Sequence, residues 1–402
     1  MAASGLAHGP VPDVTFSEPQ LAAARDVLER DLGGPCRVGL AFVGGSLAAG
    51  LGHITSPVEL GAIGTLPATD GQVVDRGGVA VRVRVVQSCA AHELLGLAQT
   101  FRLSDARHPQ AGASWEDLGE LVNLATGRVL HASLEWRHRL DALRPSVLRE
   151  LLIARHAGLG AASAREAFGA LISGDLHTAH SLSEAALVAA CEAVLCARGD
   201  LHFGRKFLLR RLARAPMERE CRERLTRLFG CPVSLSGAAD PARVRRLVDE
   251  RLLAANMLLS WAVVEGWDAD AEPPVHTVAA EPTGGPRRSP YFAPVRYADG
   301  HTLSGPSGTF EVSEAMLRLW RRLDGRHLDE LGRMLTRHER GLATAAVDDL
   351  DRAVRALQTI GAVEFAPSRP GMPQLGTRSV PGRVRAGALT LEPSTRTPLP
   401  GL

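Results

Sequence analysis

The spacing of hydrophobic residues changes along this chain, and that change constrains the fold more than any other feature of the sequence. In Val79–Val86 hydrophobic and polar residues alternate, which is typical of a β-strand with one polar face. Between Glu93 and Trp267 the hydrophobic residues recur at helical spacing instead. Strands in one region and helices in the next predict an α+β fold, with a small mixed sheet followed by a helical bundle.

Local signals place several of these elements. Leu21–Leu32 has helical spacing, and Arg37–Phe42 is a short hydrophobic run that predicts a strand. Long amphipathic stretches predict helices over Leu140–His156, Ser181–Arg198 and Ala242–Val264. An Asp-Pro pair precedes the last of these, which predicts an N-cap followed by proline at the first helical position.

At 402 residues the chain is too long for one ordinary core. Residues 268–290 are rich in proline, alanine and glycine without hydrophobic periodicity, which is the composition of a linker. The predicted division is a sheet-containing domain over 15–130, a helical domain over 131–267, a linker over 268–290, a compact domain over 291–366 and a disordered tail over 367–402.

Charge and cysteine content exclude several classes of protein. The 46 basic and 44 acidic residues give a net charge of +2, which argues against a broad nucleic-acid-binding surface. We find no apolar run of about 18 residues and no secretion signal, so we expect a cytoplasmic protein without membrane contact. The six cysteines lack the spacing of a zinc site, so we expect reduced thiols and no structural metal.

A glycine-serine motif lies at the end of the first predicted strand. Residues 42–60, FVGGSLAAGLGHITSPVEL, resemble the signature of nucleotidyltransferases of the DNA-polymerase-β type. In that family, glycine lets backbone N–H groups approach the nucleotide phosphates, and paired carboxylates hold two Mg²⁺ ions. The resemblance implies that Gly45, Ser46 and Gly50 bind a nucleotide, such as ATP with Mg²⁺.

The metal-binding part of that signature is not intact. Pro57 and Glu59 stand at the two carboxylate positions, and Arg82 and Arg84 occupy the strand expected to carry the third carboxylate. The proline side chain has no atom that can bind a cation, and Mg²⁺ needs anionic ligands. Three interpretations are open: an anion-binding fold in which Arg82 or Arg84 supplies positive charge, an inert scaffold, and an enzyme that uses Glu59 as its catalytic residue with another metal arrangement.

Lys206 is the one lysine of the chain. It lies in residues 197–212, ARGDLHFGRKFLLRRL, which resemble the lysine-aromatic segment of the helical domain that follows this catalytic fold. A lysine ammonium is a compact point charge that an arginine does not reproduce, which suits a phosphate. Lys206 is therefore a candidate nucleotide-binding residue, and the alternative is a solvated lysine without a role.

The last predicted domain begins with short strands at Asp-Gly and Gly-Pro turns, followed by Ser313 as an N-cap. The pattern then predicts helices over Glu314–Leu323, Leu328–Thr336 and Thr344–Ile360 and a closing strand over Ala362–Phe365. This order, with Leu323-Asp-Gly325 and Leu328-Asp-Glu-Leu331, resembles PqqD and the related recognition elements of pathways that make ribosomally synthesised, post-translationally modified peptides (RiPPs).

That resemblance implies a winged helix-turn-helix to which a precursor leader peptide adds as an extra strand. The implied peptide-binding residues are Thr309, Phe310, Glu311 and Val312 on the strand and Arg352 and Arg355 on the last helix. That helix also carries three aspartates, which makes it a poor surface for the phosphates of DNA. A DNA-binding regulator and a purely structural role nevertheless stay open.

Our first hypothesis is a precursor-peptide-binding protein of RiPP biosynthesis. Its nucleotidyltransferase-like domain would be a scaffold or a modifying partner, and other biosynthetic enzymes would be further partners. The second hypothesis is a nucleotidyltransferase that transfers a nucleoside monophosphate to a peptide or to a small hydroxylated, antibiotic-like molecule.

Overall fold

A computed structural model describes residues 15–53, 55–64, 66, 71–104, 113–230, 240–268, 284–338, 347–365, 384–386 and 389–393. Contacts divide the chain into two compact units. Unit 1 contains the described residues within 1–101, 113–151 and 201–210, and unit 2 contains those within 102–112, 152–200 and 211–402. Mixed sheet and abundant helix agree with the predicted α+β class. The winged helix-turn-helix and the predicted domain boundaries stay predictions.

The sheet of unit 1 has five strands. They are β1 (Val38–Gly44), β2 (Val58–Gly64), β3 (Val73–Arg76), β4 (Val79–Val86) and β5 (Arg128–Ala132). The order is β3-β4-β2-β1-β5, in which β2 and β4 run parallel and the other neighbours run antiparallel. The sheet is therefore mixed, as predicted, and β4 has the predicted bounds because its alternating pattern is a strong local signal.

Among the described residues, the α-helices that accompany this sheet are α1 (Glu18–Arg30), α2 (Gly45–Ala48), α3 (Ser88–Thr100), α4 (Trp115–Thr126) and α5 (Leu134–Asp141). Ser17 caps α1 with a capping box. Leu21 and Val27 of α1 are fully buried in one cluster with Leu60 of β2 and Val81 of β4. The core of unit 1 thus lies between α1 and the sheet.

The central helices are α6 (Pro145–Ile172), α7 (Leu176–Ala197), α8 (Leu208–Arg214), α9 (Arg219–Gly230) and α10 (Pro241–Val264). The helix predicted over Leu140–His156 begins at Pro145 instead, since proline suits the first turn of a helix and interrupts a longer one. The Asp240 side chain accepts a hydrogen bond from the Ala242 N–H at 3.0 Å, so the predicted cap of α10 is confirmed.

Among the described residues, α7 is long and apolar enough to cross a membrane. From the sequence, we did not identify this helix as a candidate membrane span. In the fold, 67% of its most apolar window is buried inside the protein. Its neighbour α10 covers much of that surface, and Leu187, Val194, Leu252 and Leu259 on the two helices are almost fully buried. In this structure α7 is packed as a core helix of a globular protein.

The C-terminal elements begin within the range predicted as linker, where β6 (Pro286–Arg288) pairs with β10 (Val363–Phe365). Between them lie β7 (Ala293–Tyr297), β8 (Gly300–Gly305), β9 (Gly308–Val312), α11 (Glu314–Arg322), α12 (Leu328–His338) and α13 (Val347–Thr359). The Ser313 hydroxyl accepts from the Met316 N–H at 3.2 Å, as predicted. A three-stranded antiparallel meander is thus followed by three helices.

Two further strands lie in the range that we predicted to be disordered. They are β11 (Val384–Ala386) and β12 (Leu389–Pro393), and they extend the meander to the order β11-β12-β9-β8-β7. The prediction failed for these residues because their composition is that of a tail, whereas their pairing depends on an edge strand supplied by a distant part of the chain.

Candidate functional sites

The glycine turn of unit 1 follows β1, where the chain passes from Gly44 into α2. Gly45 has a φ of +71°, a conformation that residues with a Cβ rarely adopt. Its N–H donates to Asn123 Oδ1 at 3.1 Å. A Cβ placed on Gly45 would lie 2.5 Å from Glu59 Oε2, so glycine is needed both for the backbone conformation and for the approach of this carboxylate.

A cavity of about 230 Å³ opens at this turn. It is lined by Gly45, Ser46, Glu59, Gly119, Val122, Asn123, His202, Phe203, Lys206 and Phe207. The volume lies below the roughly 300–1,000 Å³ of pockets that enclose drug-sized ligands. The cavity therefore suits a small anion or one part of a nucleotide.

Glu59 and Lys206 give this cavity one carboxylate and one ammonium group. The Lys206 Nζ lies 4.8 Å from the centre of the Phe207 ring, at the distance of a cation–π contact. The Phe203 ring packs edge-on against Trp115 at 5.6 Å between ring centres. The aromatic rings can stack on a planar group, and the ammonium group beside them can pair with a negative charge.

A pair of magnesium ions does not fit this cavity. Glu59 is the one carboxylate among its described lining residues, and Pro57 stands where the partner carboxylate would be. The described residues contain no group of three or more His, Cys, Asp or Glu side chains placed to hold a metal ion. Two Mg²⁺ ions need several anionic ligands, so the residues present do not support two-metal nucleotidyl transfer.

Neither of the two candidate arginines is among the described residues that line the cavity. Arg82 is exposed on β4 as the register partner of Glu59. Arg84 forms an ion pair with Glu120 of α4 and lies 3.8 Å from Glu116. Lys206, and not these arginines, is the cation at the cavity.

The third glycine of the motif supports the turn and does not line the cavity. Gly50 has a φ of +66°, and its C=O accepts from Arg210 Nη2 at 3.3 Å. The same guanidinium donates to the C=O groups of Leu51 and Gly52. Sequence reasoning missed both Arg210 and Asn123. Arg210 lies in the segment that drew attention to Lys206, whereas no local signal identified Asn123.

The second candidate site is the outer strand of the meander in unit 2. On one side β9 pairs with β8, and on the other it pairs antiparallel with β12. Of the predicted binding residues, Thr309, Phe310 and Glu311 are partly exposed and Val312 is buried. The Phe310 ring lies 6.5 Å from that of Phe292, which places an aromatic group at this edge.

The two arginines predicted on the opposing helix are exposed and ion-paired within α13. Arg352 Nη2 lies 2.7 Å from Asp349 Oδ1, and Arg355 Nε lies 2.7 Å from Asp351 Oδ2. The buried face of α13 is formed by Leu350, Ala353, Val354 and Leu357 instead. The charges of both arginines are therefore balanced within the helix.

No family model and no curated protein matches this chain. A solved structure described as a nucleotidyltransferase-like protein from Exiguobacterium sibiricum is similar with a TM-score of 0.34 and 12% sequence identity. The similarity covers 61% of this chain and 76% of that one. This is a distant similarity.

Proposed function

We propose that this protein binds the precursor peptide of a RiPP pathway in the cytoplasm, with the leader segment held in extended form on β9. The observation that carries the proposal is that β9 pairs with β8 on one side and accepts an extended antiparallel strand on the other. The N–H and C=O groups of such an edge bind an extended peptide of almost any sequence, and neighbouring side chains select among peptides.

The side chains around this edge favour a peptide over DNA. Phe310 offers an apolar contact at the strand itself. Arg352 and Arg355 are paired with aspartates of the same helix, so little net positive charge is left there to attract phosphates. We infer that affinity comes mainly from main-chain hydrogen bonds and from Phe310. Unit 1 would serve as scaffold or modifying partner, together with other biosynthetic enzymes.

Titration of the full chain with synthetic peptides encoded by short reading frames beside its gene tests this proposal. We expect saturable binding that Phe310→Asp weakens by about 30-fold, which is the loss of roughly 2 kcal/mol typical of a central interface residue. Phe365→Asp is the control for the same chemical change on another strand, because Phe365 is a phenylalanine of β10 at 43% exposure and lies outside the β9 edge. Equal affinity of the wild type and Phe310→Asp would contradict the proposal.

A second candidate function is the binding of a nucleotide or another phosphate-bearing ligand at the glycine turn. The cavity at Gly45, with Lys206 and two phenylalanine rings in its lining, is the observation that favours it. Since Glu59 is the one carboxylate among the described lining residues and cannot hold a metal pair alone, we expect ATP to bind in EDTA as well as in Mg²⁺ and not to be consumed.

The matched variants Lys206→Met and Arg205→Met test this second function. Both residues are exposed neighbours in the same turn, but only Lys206 lines the cavity. We expect Lys206→Met to weaken ATP binding about tenfold or more, the usual worth of a hydrogen bond to a charged group, and Arg205→Met to have no effect. Consumption of ATP that is abolished by Glu59→Gln would instead establish the nucleotidyltransferase alternative.

A further inference from the structure

The proposed peptide-binding edge is occupied by the chain itself. Strand β12 runs antiparallel to β9, with Leu391 opposite Val312, Glu392 opposite Glu311 and Pro393 opposite Phe310. Strand β11 then pairs with the far side of β12. The C-terminal segment thus lies on the three residues Phe310–Val312 that the sequence identified as binding residues.

One edge of a strand can pair with only one partner at a time, because each of its outward N–H and C=O groups is used by the strand that lies there. A peptide that binds β9 must therefore take the place of β12. Residues 366–383 join β10 to β11, so β12 stays covalently attached and competes at the high effective concentration of an intramolecular ligand.

The pairing is also suited to exchange. It spans only three residue pairs, and Pro393 has no N–H to donate to β9. A short pairing of this kind is weak in isolation and depends on the covalent attachment. An incoming peptide that pairs along all of β9, Gly308–Val312, would make more main-chain hydrogen bonds than β12 does.

We propose that the C-terminal strand β12 is an intramolecular ligand of the β9 edge, and that extended peptides bind this edge by displacing it. The inference rests on the proposed function in that it assigns a competitor to the same edge. The occupancy of the edge by β12 can, however, be measured without any precursor peptide.

The first measurement is hydrogen exchange of the full chain without added peptide. The double variant Leu391→Pro/Glu392→Pro removes two N–H groups of β12, and Arg396→Pro/Thr397→Pro is the matched control in the residues beyond that strand. We expect the outward amides of Thr309–Val312 to exchange at least about tenfold faster in the first variant only. Equal exchange in the wild type and both variants would overturn the proposal.

The second measurement uses a fluorescent peptide of residues 387–395, GALTLEPST, added to the full-length proteins. We expect it to bind Leu391→Pro/Glu392→Pro at least about tenfold more tightly than the wild type or the control variant, since only there is the edge vacant. Equal affinity for all three proteins would overturn displacement. If neighbouring-gene peptides bind none of these proteins while both tail effects are seen, the proposed function fails and the self-ligand stands.

Discussion

The cavity of unit 1 and the β9 edge of unit 2 use different chemistry for recognition. The cavity depends on side chains from separate parts of the chain, such as Glu59, Asn123 and Lys206. The edge depends on the main chain of five consecutive residues, Gly308–Val312. A change of one polar side chain should therefore weaken binding at the cavity, whereas the edge should tolerate changes of side chains other than Phe310 as long as the strand stays intact.

The largest expected effect is a loss of folding stability from a change at a buried ion pair that belongs to neither candidate site. Arg211 Nη1 lies 2.7 Å from Glu192 Oε2, both side chains are at most 2% exposed, and Asp200 Oδ2 lies 2.9 Å from Arg211 Nε. Replacing Glu192 by Gln leaves a buried cation with less compensation, so we expect a loss of about 3–5 kcal/mol in the free energy of unfolding, measured with urea.

The folded fraction of Glu192→Gln should keep the wild-type affinity for peptide and for ATP. Glu223→Gln is the control, since the Arg219–Glu223 pair is exposed and its loss should leave stability unchanged. If Glu192→Gln were as stable as the wild type, the Arg211–Glu192 ion pair would not stabilise the fold. If the folded form of Glu192→Gln had lost affinity for either ligand, the role of this pair would not be limited to stability.

The next prediction concerns the glycine turn. Gly45→Ala puts a methyl group within 2.5 Å of Glu59 Oε2 at a φ of +71°, whereas Gly71→Ala has a φ of +77° with open space around it. We expect Gly71→Ala to cost about 1 kcal/mol from backbone strain alone and Gly45→Ala to cost roughly 2–3 kcal/mol. Urea denaturation measures both.

Gly45→Ala should also lose ATP binding while peptide binding persists, which would sharpen the contrast between the two sites. ATP binding at wild-type strength in Gly45→Ala would show that the ligand does not use this turn. Equal destabilisation by the two alanine variants would show that the Glu59 carboxylate does not clash with a side chain at position 45.

A third prediction is that the free energy of unfolding depends on pH, through His156, while peptide binding does not. Burial, with the nearby charges of Arg211 and Arg155, lowers the pKa of His156 to about 3. The unfolded chain binds this proton near pH 6.5, so the folded state loses stability as the pH falls from about 6.5 towards 3. We expect the free energy of unfolding to fall by roughly 2 kcal/mol between pH 7.5 and pH 5.

A His156→Gln variant should lose this part of the pH dependence, because glutamine does not titrate. The comparison is made by urea denaturation of both proteins across the same pH range. The same slope in both proteins would assign the pH dependence to other groups. Peptide binding to the folded fraction should change little, since main-chain hydrogen bonds do not titrate.

The sequence predicted what local patterns determine. The alternation in Val79–Val86 predicted β4, and the residues before Ala242 and Glu314 predicted the caps of α10 and α11. The glycine at position 45 was recognised from its motif, and the structure explains it by a positive φ and by close contact with Glu59.

What depends on tertiary contact was not predicted. Asn123 reaches Gly45 across 78 residues of the chain, and Arg210 reaches the carbonyl groups of residues 50–52 across 158–160 residues. Arg84 was proposed as an anion ligand, but the neighbouring Glu120 pairs with it. Strand β12 has a short alternation of its own, Leu389-Thr-Leu-Glu392, but it lies in a range whose composition is that of a tail, and its partner β9 lies far away in the sequence.

Photo-cross-linking tests the central claim most directly. A peptide from a reading frame beside the gene, carrying a photoreactive group in its leader segment, is irradiated with the full chain, and the cross-linked residues are identified by mass spectrometry. Our account predicts cross-links within Thr309–Val312 that disappear when an excess of unlabelled peptide is present. Cross-links concentrated at Lys206 and the other cavity residues, or a pattern that excess peptide does not change, would contradict it.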